Sequence, residues 1–312
     1  LVEVPVPRPF ARLTLAALAL SALPVAAIAQ KPILPDFQAN PSAREWDGRF
    51  WIYPSHDVPG SRDWDMVDWH AFSSTDLVTW TDHGVIFSLK DIPWATRWAW
   101  APDAMKRNGK YYFYVTADEQ IGVAVSDRPE GPFKDALGAP LVARGESKTR
   151  VMDPAIFVDD DGQAYLYFGQ NTARVVKLKD DMITRDGPIV EVSLQNFHEG
   201  LWMHKRNGMY YLSYCAMETS GGEMHSRLAY STATSPLGPF TYRGVFMDNK
   251  SRNVHHSIAD FGGQGYLFYH VQGPTWYERR VAAEYLAYNA DGTIKRAYMT
   301  RTGVVAKQPP TK

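Results

Sequence analysis

Ala101-Pro102-Asp103-Ala104-Met105-Lys106-Arg107-Asn108-Gly109-Lys110-Tyr111-Tyr112-Phe113-Tyr114 is one of five similar stretches in this chain. Each has a polar or small leader, eight or nine further residues, and Gly-x-x-Trp/Tyr inside an aromatic run. The others run from Asn40 to Gly48-Arg49-Phe50-Trp51, Asp153 to Gly162-Gln163-Ala164-Tyr165, Glu199 to Gly208-Met209-Tyr210-Tyr211 and His255 to Gly263-Gln264-Gly265-Tyr266. Repetition at roughly 50 residues is the signature of a radial β architecture with one unit per blade. Asp47-Gly48, Asn108-Gly109, Asp161-Gly162, Asn207-Gly208 and Gly262-Gly263 predict hairpins, because a two-residue type I′ turn needs positive φ at both central positions. Tyr111-Tyr112-Phe113-Tyr114 and Tyr266-Leu267-Phe268-Tyr269 are apolar on both faces, as a strand covered by a neighbouring blade on each side must be. The expected fold is all-β: a five-bladed β-propeller with four antiparallel strands per blade.

Working outward, the repeats fill residues 40–300 without a polar linker, so residues 30–312 read as a single domain. Residues 1–29 read as a secretory signal peptide. Arg8 and Arg12 precede an apolar run that contains Pro24 and ends Ala27-Ile28-Ala29, a small-residue cleavage pattern. The expected location is periplasmic or secreted, with no membrane attachment after cleavage. Lys+Arg total 33 against Asp+Glu 34, which gives no electrostatic footprint for nucleic acid. The one cysteine, Cys215, can form no internal disulfide and reads as a buried inert thiol.

A propeller gathers the starts of its inner strands at one axial mouth. The predicted pocket collects Asn40, Asp153, Glu199 and His255, with Ser55-His56-Asp57 on its rim. Two separated carboxylates around one cavity are the minimum equipment for glycosidic hydrolysis. The segment Asp57–Asp68 is expected to help close the mouth. Asp103 is open to a structural or a sugar-binding role. Trp94, Trp98 and Trp100 are open to lining subsites or sealing blades 1 and 2.

Pro32-Ile33-Leu34-Pro35, Tyr53-Pro54-Ser55-His56-Asp57, Trp100-Ala101-Pro102-Asp103, Met152-Asp153-Pro154-Ala155, His198-Glu199-Gly200 and His255-His256-Ser257, in that order, resemble glycoside hydrolase family 43. These are five-bladed propellers acting on arabinose- and xylose-containing polysaccharides. The resemblance implies that Glu199 is the general acid and Asp153 the carboxylate that tunes and orients it. It implies a substrate-binding role for Arg280, and a place for His255 beside a structural calcium or water cluster on the axis; Trp100 and His56, placed at the mouth by the repeat, are also expected to bind substrate. No other cofactor is expected, and the expected partner is an oligosaccharide or polysaccharide. The implied reaction is inverting release of a terminal α-L-arabinofuranosyl or β-D-xylosyl unit, with a blade 1 aspartate activating water. The chain departs there: the family's Asp-Pro-Ser is Asn40-Pro41-Ser42. Three readings follow. Asp57, or failing it Asp36, serves as substitute base; the substrate supplies the base; or the pocket is a non-catalytic carbohydrate-binding site.

Overall fold

A computed structural model describes residues 1–2, 31–220, 223–249 and 251–305. Nearly all of the predicted leader lies outside these residues. The chain forms five antiparallel sheets in sequence order. Blade 1 is β1 (Gln38–Trp46), β2 (Arg49–His56), β3 (Asp68–Ser74) and β4 (Thr81–Ser88). Blade 2 is β5 (Pro102–Arg107), β6 (Lys110–Ala117), β7 (Gln120–Ser126) and β8 (Lys134–Asp135). Blade 3 is β9 (Ala155–Val158), β10 (Ala164–Phe168), β11 (Ala173–Leu178) and β12 (Val190–Val192). Blade 4 is β13 (Phe197–Arg206), β14 (Met209–Ser220), β15 (Glu223–Ala233) and β16 (Thr241–Asp248). Blade 5 is β17 (His256–Phe261), β18 (Gln264–Gln272) and β19 (Arg279–Leu286).

The five-bladed propeller is the fold the repeat predicts. Blade 5 differs in detail, having three strands among the described residues. The outer edge of β19 is met instead by the chain entering blade 1, where the Ile33 N–H donates to the Val281 carbonyl at 2.9 Å. That contact ties the two ends of the ring together.

Four of the five predicted inner turns have positive φ at both central residues: 57° and 73° at Asp47-Gly48, 51° and 74° at Asn108-Gly109, 48° and 74° at Asn207-Gly208, and 54° and 78° at Gly262-Gly263. In blade 3 only Gly162 is left-handed. Its connection is longer, with Val158 paired to Ala164 and the Asp159 N–H donating to the Gln163 carbonyl. The Asp-Gly signal there marks a hairpin but not a two-residue one.

The apolar core divides into five clusters, one between each pair of adjacent blades. On β6, Tyr111, Phe113 and Val115 pack toward blade 1, while Tyr112 and Tyr114 pack toward blade 3. Side chains alternate across a strand, so a strand with a neighbour on each face must be apolar at every position. The cluster of Ala43, Phe50 and Ile52 with Tyr266 and Phe268 closes blade 1 onto blade 5.

Asp103 resolves as a structural residue. Its buried carboxylate accepts from Ser42 Oγ at 2.5 Å, Arg44 Nη2 at 2.6 Å and the Ile156 N–H at 2.7 Å. One side chain thus joins the inner strands of blades 1, 2 and 3 around the axis.

Candidate active site

Three leaders reach the axial mouth through local breaks in β geometry. The register of β1 against β2 shifts between Ala39 and Ser42, and Asn40 has φ 50°. The register of β13 shifts on both sides of Glu199, and Gly200 has φ 64°. Asp153, two residues before β9, has φ 57°. Asn and Asp tolerate left-handed backbone better than other non-glycine residues. Bulges of this kind re-aim side chains beside active sites. Gly200 has a second reason to be glycine, since a Cβ there would stand 3.0 Å from His255 Cδ2.

The result is a cavity lined by Asn40, Asp153, Glu199 and His255 together with Trp64, Trp100, Arg150, Gln170, Asn253 and Arg279, among others. The sequence-predicted leaders therefore converge. At the floor, His255 Nε2 lies 3.3 Å from Glu199 Oε1 and 3.4 Å from Asp153 Oδ2. The Gln170 amide donates to Glu199 Oε2 at 2.9 Å. The N–H of Gly200, freed by the bulge, donates to Asp153 Oδ2 at 3.2 Å, and the Asp153 N–H donates to Thr116 Oγ1 at 2.9 Å. Asp153 Oδ1 is buried without a hydrogen-bond partner.

Burial is the main influence on both carboxyls, and the two part company through their partners. For Asp153, burial and the negative charge of Glu199 outweigh His255 and raise the pKa to about 7. For Glu199, burial pushes upward, but the His255 contact, the charges of His255 and His198 and the Gln170 hydrogen bond take it to about 2. His255 is raised: burial lowers it, and the two carboxylates more than reverse that. Burial and the facing carboxylate thus hold Asp153 up in the free site while His255 and its neighbours hold Glu199 down.

The blade 1 side is built around an amide. Asn40 Nδ2 donates to Ser55 Oγ at 2.9 Å, and Asn40 Oδ1 accepts from Arg279 Nη1 at 3.1 Å. The Asn40 N–H donates to His270 Nδ1 at 3.2 Å, so the His270 proton is on Nε2, which faces the Asn253 carbonyl at 3.0 Å. Burial holds His270 well below the usual imidazole range, and it stays neutral.

Several expected positions are corrected here. Asp57 is fully buried and does not line the cavity. Arg279 claims both its oxygens, with Nη2 to Oδ1 at 2.7 Å and Nε and the backbone N–H to Oδ2 at 2.9 Å each. It cannot take a proton from an attacking water. Asp36 also lies outside the lining, and the carboxylates in it among the described residues are Asp153 and Glu199. His56 does not line the cavity; its Nδ1 lies 2.8 Å from Asp68 Oδ1. Arg280 packs its guanidinium over Phe37 at 4.8 Å, and the cavity arginine is its neighbour Arg279. Adjacent residues on β19 face opposite ways, so an off-by-one assignment changes the surface served.

Trp100 does line the cavity. Its indole N–H donates to the Trp64 carbonyl at 2.7 Å, and its ring stacks on Trp98 with centroids 5.0 Å apart. Trp94 seals instead: a Cβ on Gly122 would collide with its ring. Trp64 comes from the Asp57–Asp68 segment, which contributes to the mouth as expected. Cys215 is buried opposite Glu199 on β14, with its thiol pushed up to about 12 by burial, and is inert. Arg279, Gln170, Asn253 and His270 were not singled out from sequence. No local motif marks them, and only the ring closure brings them to the leaders.

The family model for glycosyl hydrolases family 43 matches residues 29–294. The chain belongs to glycosyl hydrolases family 43. It is a glycosidase. A xylosidase/arabinosidase 43A from Humicola insolens is 35% identical, over 83% of this chain and 96% of that protein. A xylosidase/arabinosidase from Bacteroides ovatus is also 35% identical, over 83% and 94%. Among solved structures, CoXyl43, a family 43 beta-xylosidase/alpha-arabinofuranosidase from a compost microbial metagenome, is 37% identical with a TM-score of 0.77. It covers 86% of this chain and 97% of its own, and was solved with xylotriose in a calcium-free form.

Proposed function

We propose that this family 43 glycosidase is exported and releases terminal α-L-arabinofuranosyl or β-D-xylosyl units from plant oligosaccharides or polysaccharides by single displacement with inversion. The observation that carries the proposal is the Glu199–His255–Asp153 floor, where one imidazole nitrogen lies 3.3 and 3.4 Å from the two carboxylates. Glu199 protonates the leaving oxygen. Asp153 is the proton's resting place, and His255 Nε2 is within reach of both carboxylates to pass it on. Trp64 and Trp100 offer apolar faces to the sugar. Xylosidase and arabinosidase activity in the relatives named above supports the substrate class.

Water attacks from the Asn40 side. The Asn40 carbonyl oxygen has one acceptor site taken by Arg279 and a second with which to orient water. An amide can orient water but cannot deprotonate it. Loss of a general base costs about 10²–10⁴ in rate, and among the described residues no other lining carboxylate stands in. The proposed enzyme is therefore a slow one, with its acid half intact. Asn40 also favours a second reading, a propeller that binds carbohydrate without turning it over.

A calcium ion on the axis would meet Asp153, Glu199 and His255, which each offer a donor atom within 4.8 Å of the others. Calcium takes about six to eight oxygens. This set fits an ion that keeps most of its water, with Asp153 Oδ1 the carboxylate oxygen still unpartnered. When bound, such an ion would supply positive charge beside the pair.

Incubation with aryl β-D-xylosides and α-L-arabinofuranosides, with the first-formed anomer followed by NMR, tests the proposal. Slow release with inverted configuration is expected. Retention would overturn the mechanism. Oligosaccharide binding by calorimetry with no product after days would support the binding reading instead.

A further inference from the structure

The chain carries a second cluster of metal-ligating side chains, in blade 1 and outside the cavity lining. The Ser55–Trp69 pair between β2 and β3 sets His56 opposite Asp68. Asp68 and His70 are two apart on β3, so they share one face. His56 Nδ1 is 2.8 Å from Asp68 Oδ1, and the His56 and His70 rings are 4.4 Å apart between centroids. One donor atom from each of the three lies within 4.8 Å of the others.

His70 is the informative member. Both its ring nitrogens are buried and neither forms a hydrogen bond. Its nearest carboxylates are at long range: Asp68 Oδ1 is 3.8 Å from Nε2 and Asp82 Oδ1 is 3.5 Å from Nδ1. A neutral imidazole has one donor and one acceptor nitrogen, and buried polar atoms are rarely left without partners. A cation at the cluster would bind one nitrogen, and Asp82 would then accept from the other. Metal-bound histidines commonly make such a second-shell contact.

We propose that His56, Asp68 and His70 form a binding site for a divalent transition metal of the zinc class. Two imidazoles and one carboxylate suit zinc, cobalt or nickel, whereas calcium and magnesium prefer all-oxygen sets. Bonds of about 2.0–2.2 Å place tetrahedral donors about 3.3 Å apart, so the 2.8 Å His56–Asp68 contact would open slightly and the 3.8 Å His70–Asp68 contact would close. The fourth position is open to water. The site sits on the strand end that carries Ser55, the partner of Asn40, and Asp57, the partner of Arg279. Metal binding would stiffen the wall behind the blade 1 side of the cavity.

The test uses the full chain without a histidine tag, titrated with zinc in competition with a chromophoric chelator. Cobalt substitution, read by visible absorption, is a second signal. Wild type is expected to bind one zinc that both His56→Gln and His70→Ala weaken beyond the about 10–100-fold typical of outer-shell changes. His83→Ala, a histidine of the same blade outside the cluster, should bind as wild type does. His56 is only partly buried, so His56→Gln serves if His70→Ala fails to fold. Absence of zinc binding by folded wild type would overturn the proposal. So would unchanged affinity in His56→Gln, which would place the metal elsewhere, such as at Asp153, Glu199 and His255.

Discussion

Asn40→Asp places a carboxylate where the protein already holds an amide of the same shape. Arg279 Nη1 lies 3.1 Å from the retained oxygen, and that bond becomes charge-assisted. Ser55 Oγ lies 2.9 Å from the atom that changes from donor to acceptor. A hydroxyl rotates to donate as readily as it accepts, so both contacts survive. The left-handed backbone at φ 50° suits aspartate nearly as well as asparagine. The new carboxylate is ionised beside the guanidinium and can accept a proton from water on that side. If the amide is what limits wild type, the gain is the general-base factor of about 10²–10⁴, or about 3–5 kcal/mol of barrier. The assay is kcat on para-nitrophenyl β-D-xyloside and α-L-arabinofuranoside, with circular dichroism to confirm the fold. The variant should also acquire a falling acid limb in its pH profile, because its base works only when ionised. A folded Asn40→Asp no faster than wild type on either substrate would refute the assignment of this position to the attacking water.

Two further outcomes follow from the same geometry. Arg279→Met leaves the fully buried Asp57 without its cation and should destabilise the fold by about 3–5 kcal/mol; urea unfolding measures it, and Asp57→Asn in the same chain should recover part of the loss. Asp153→Asn tests the retained proton. The folded-state pKa of about 7 lies above the ordinary aspartate value of about 3.9, so folding binds a proton between those values and this group's contribution to stability falls as pH rises from about 4 to 7. The asparagine variant lacks that slope, so its stability relative to wild type should rise across the window by up to about 4 kcal/mol and then level off. Chemical denaturation at several pH values from 5 to 8 reads it, and a constant difference would contradict the assignment.

The repeat made the architecture legible because turn chemistry and strand patterning recur in register. The same register placed Asn40, Asp153, Glu199 and His255 at one mouth. What it could not show depends on side-chain direction and on ring closure. Asp57 looked available as a base, yet its carboxylate is taken by an arginine 222 positions away. Arg280 and Arg279 are adjacent in sequence and face opposite ways on β19. His56 follows Ser55 on β2, and strand alternation turns it from Asn40 toward Asp68. The split between the two carboxyls was equally hidden, because His255 acts on Glu199 through a hydrogen bond as well as charge, with His198 and Gln170 adding to it, and on Asp153 through charge. The fourth strand expected in blade 5 is replaced in part by Ile33, a contact between chain regions that no local signal announces.

The account rests most heavily on Glu199 as the group that protonates the leaving oxygen. Leaving-group dependence in Glu199→Gln tests it directly. An aryl glycoside with a strongly acidic phenol needs little protonation, whereas a xylo-oligosaccharide or alkyl glycoside needs it fully. The account predicts that Glu199→Gln keeps much of the wild-type rate on dinitrophenyl xyloside or arabinofuranoside and loses about 10²–10⁴ on the unactivated sugar. Equal losses on both classes, or none on either, would contradict it.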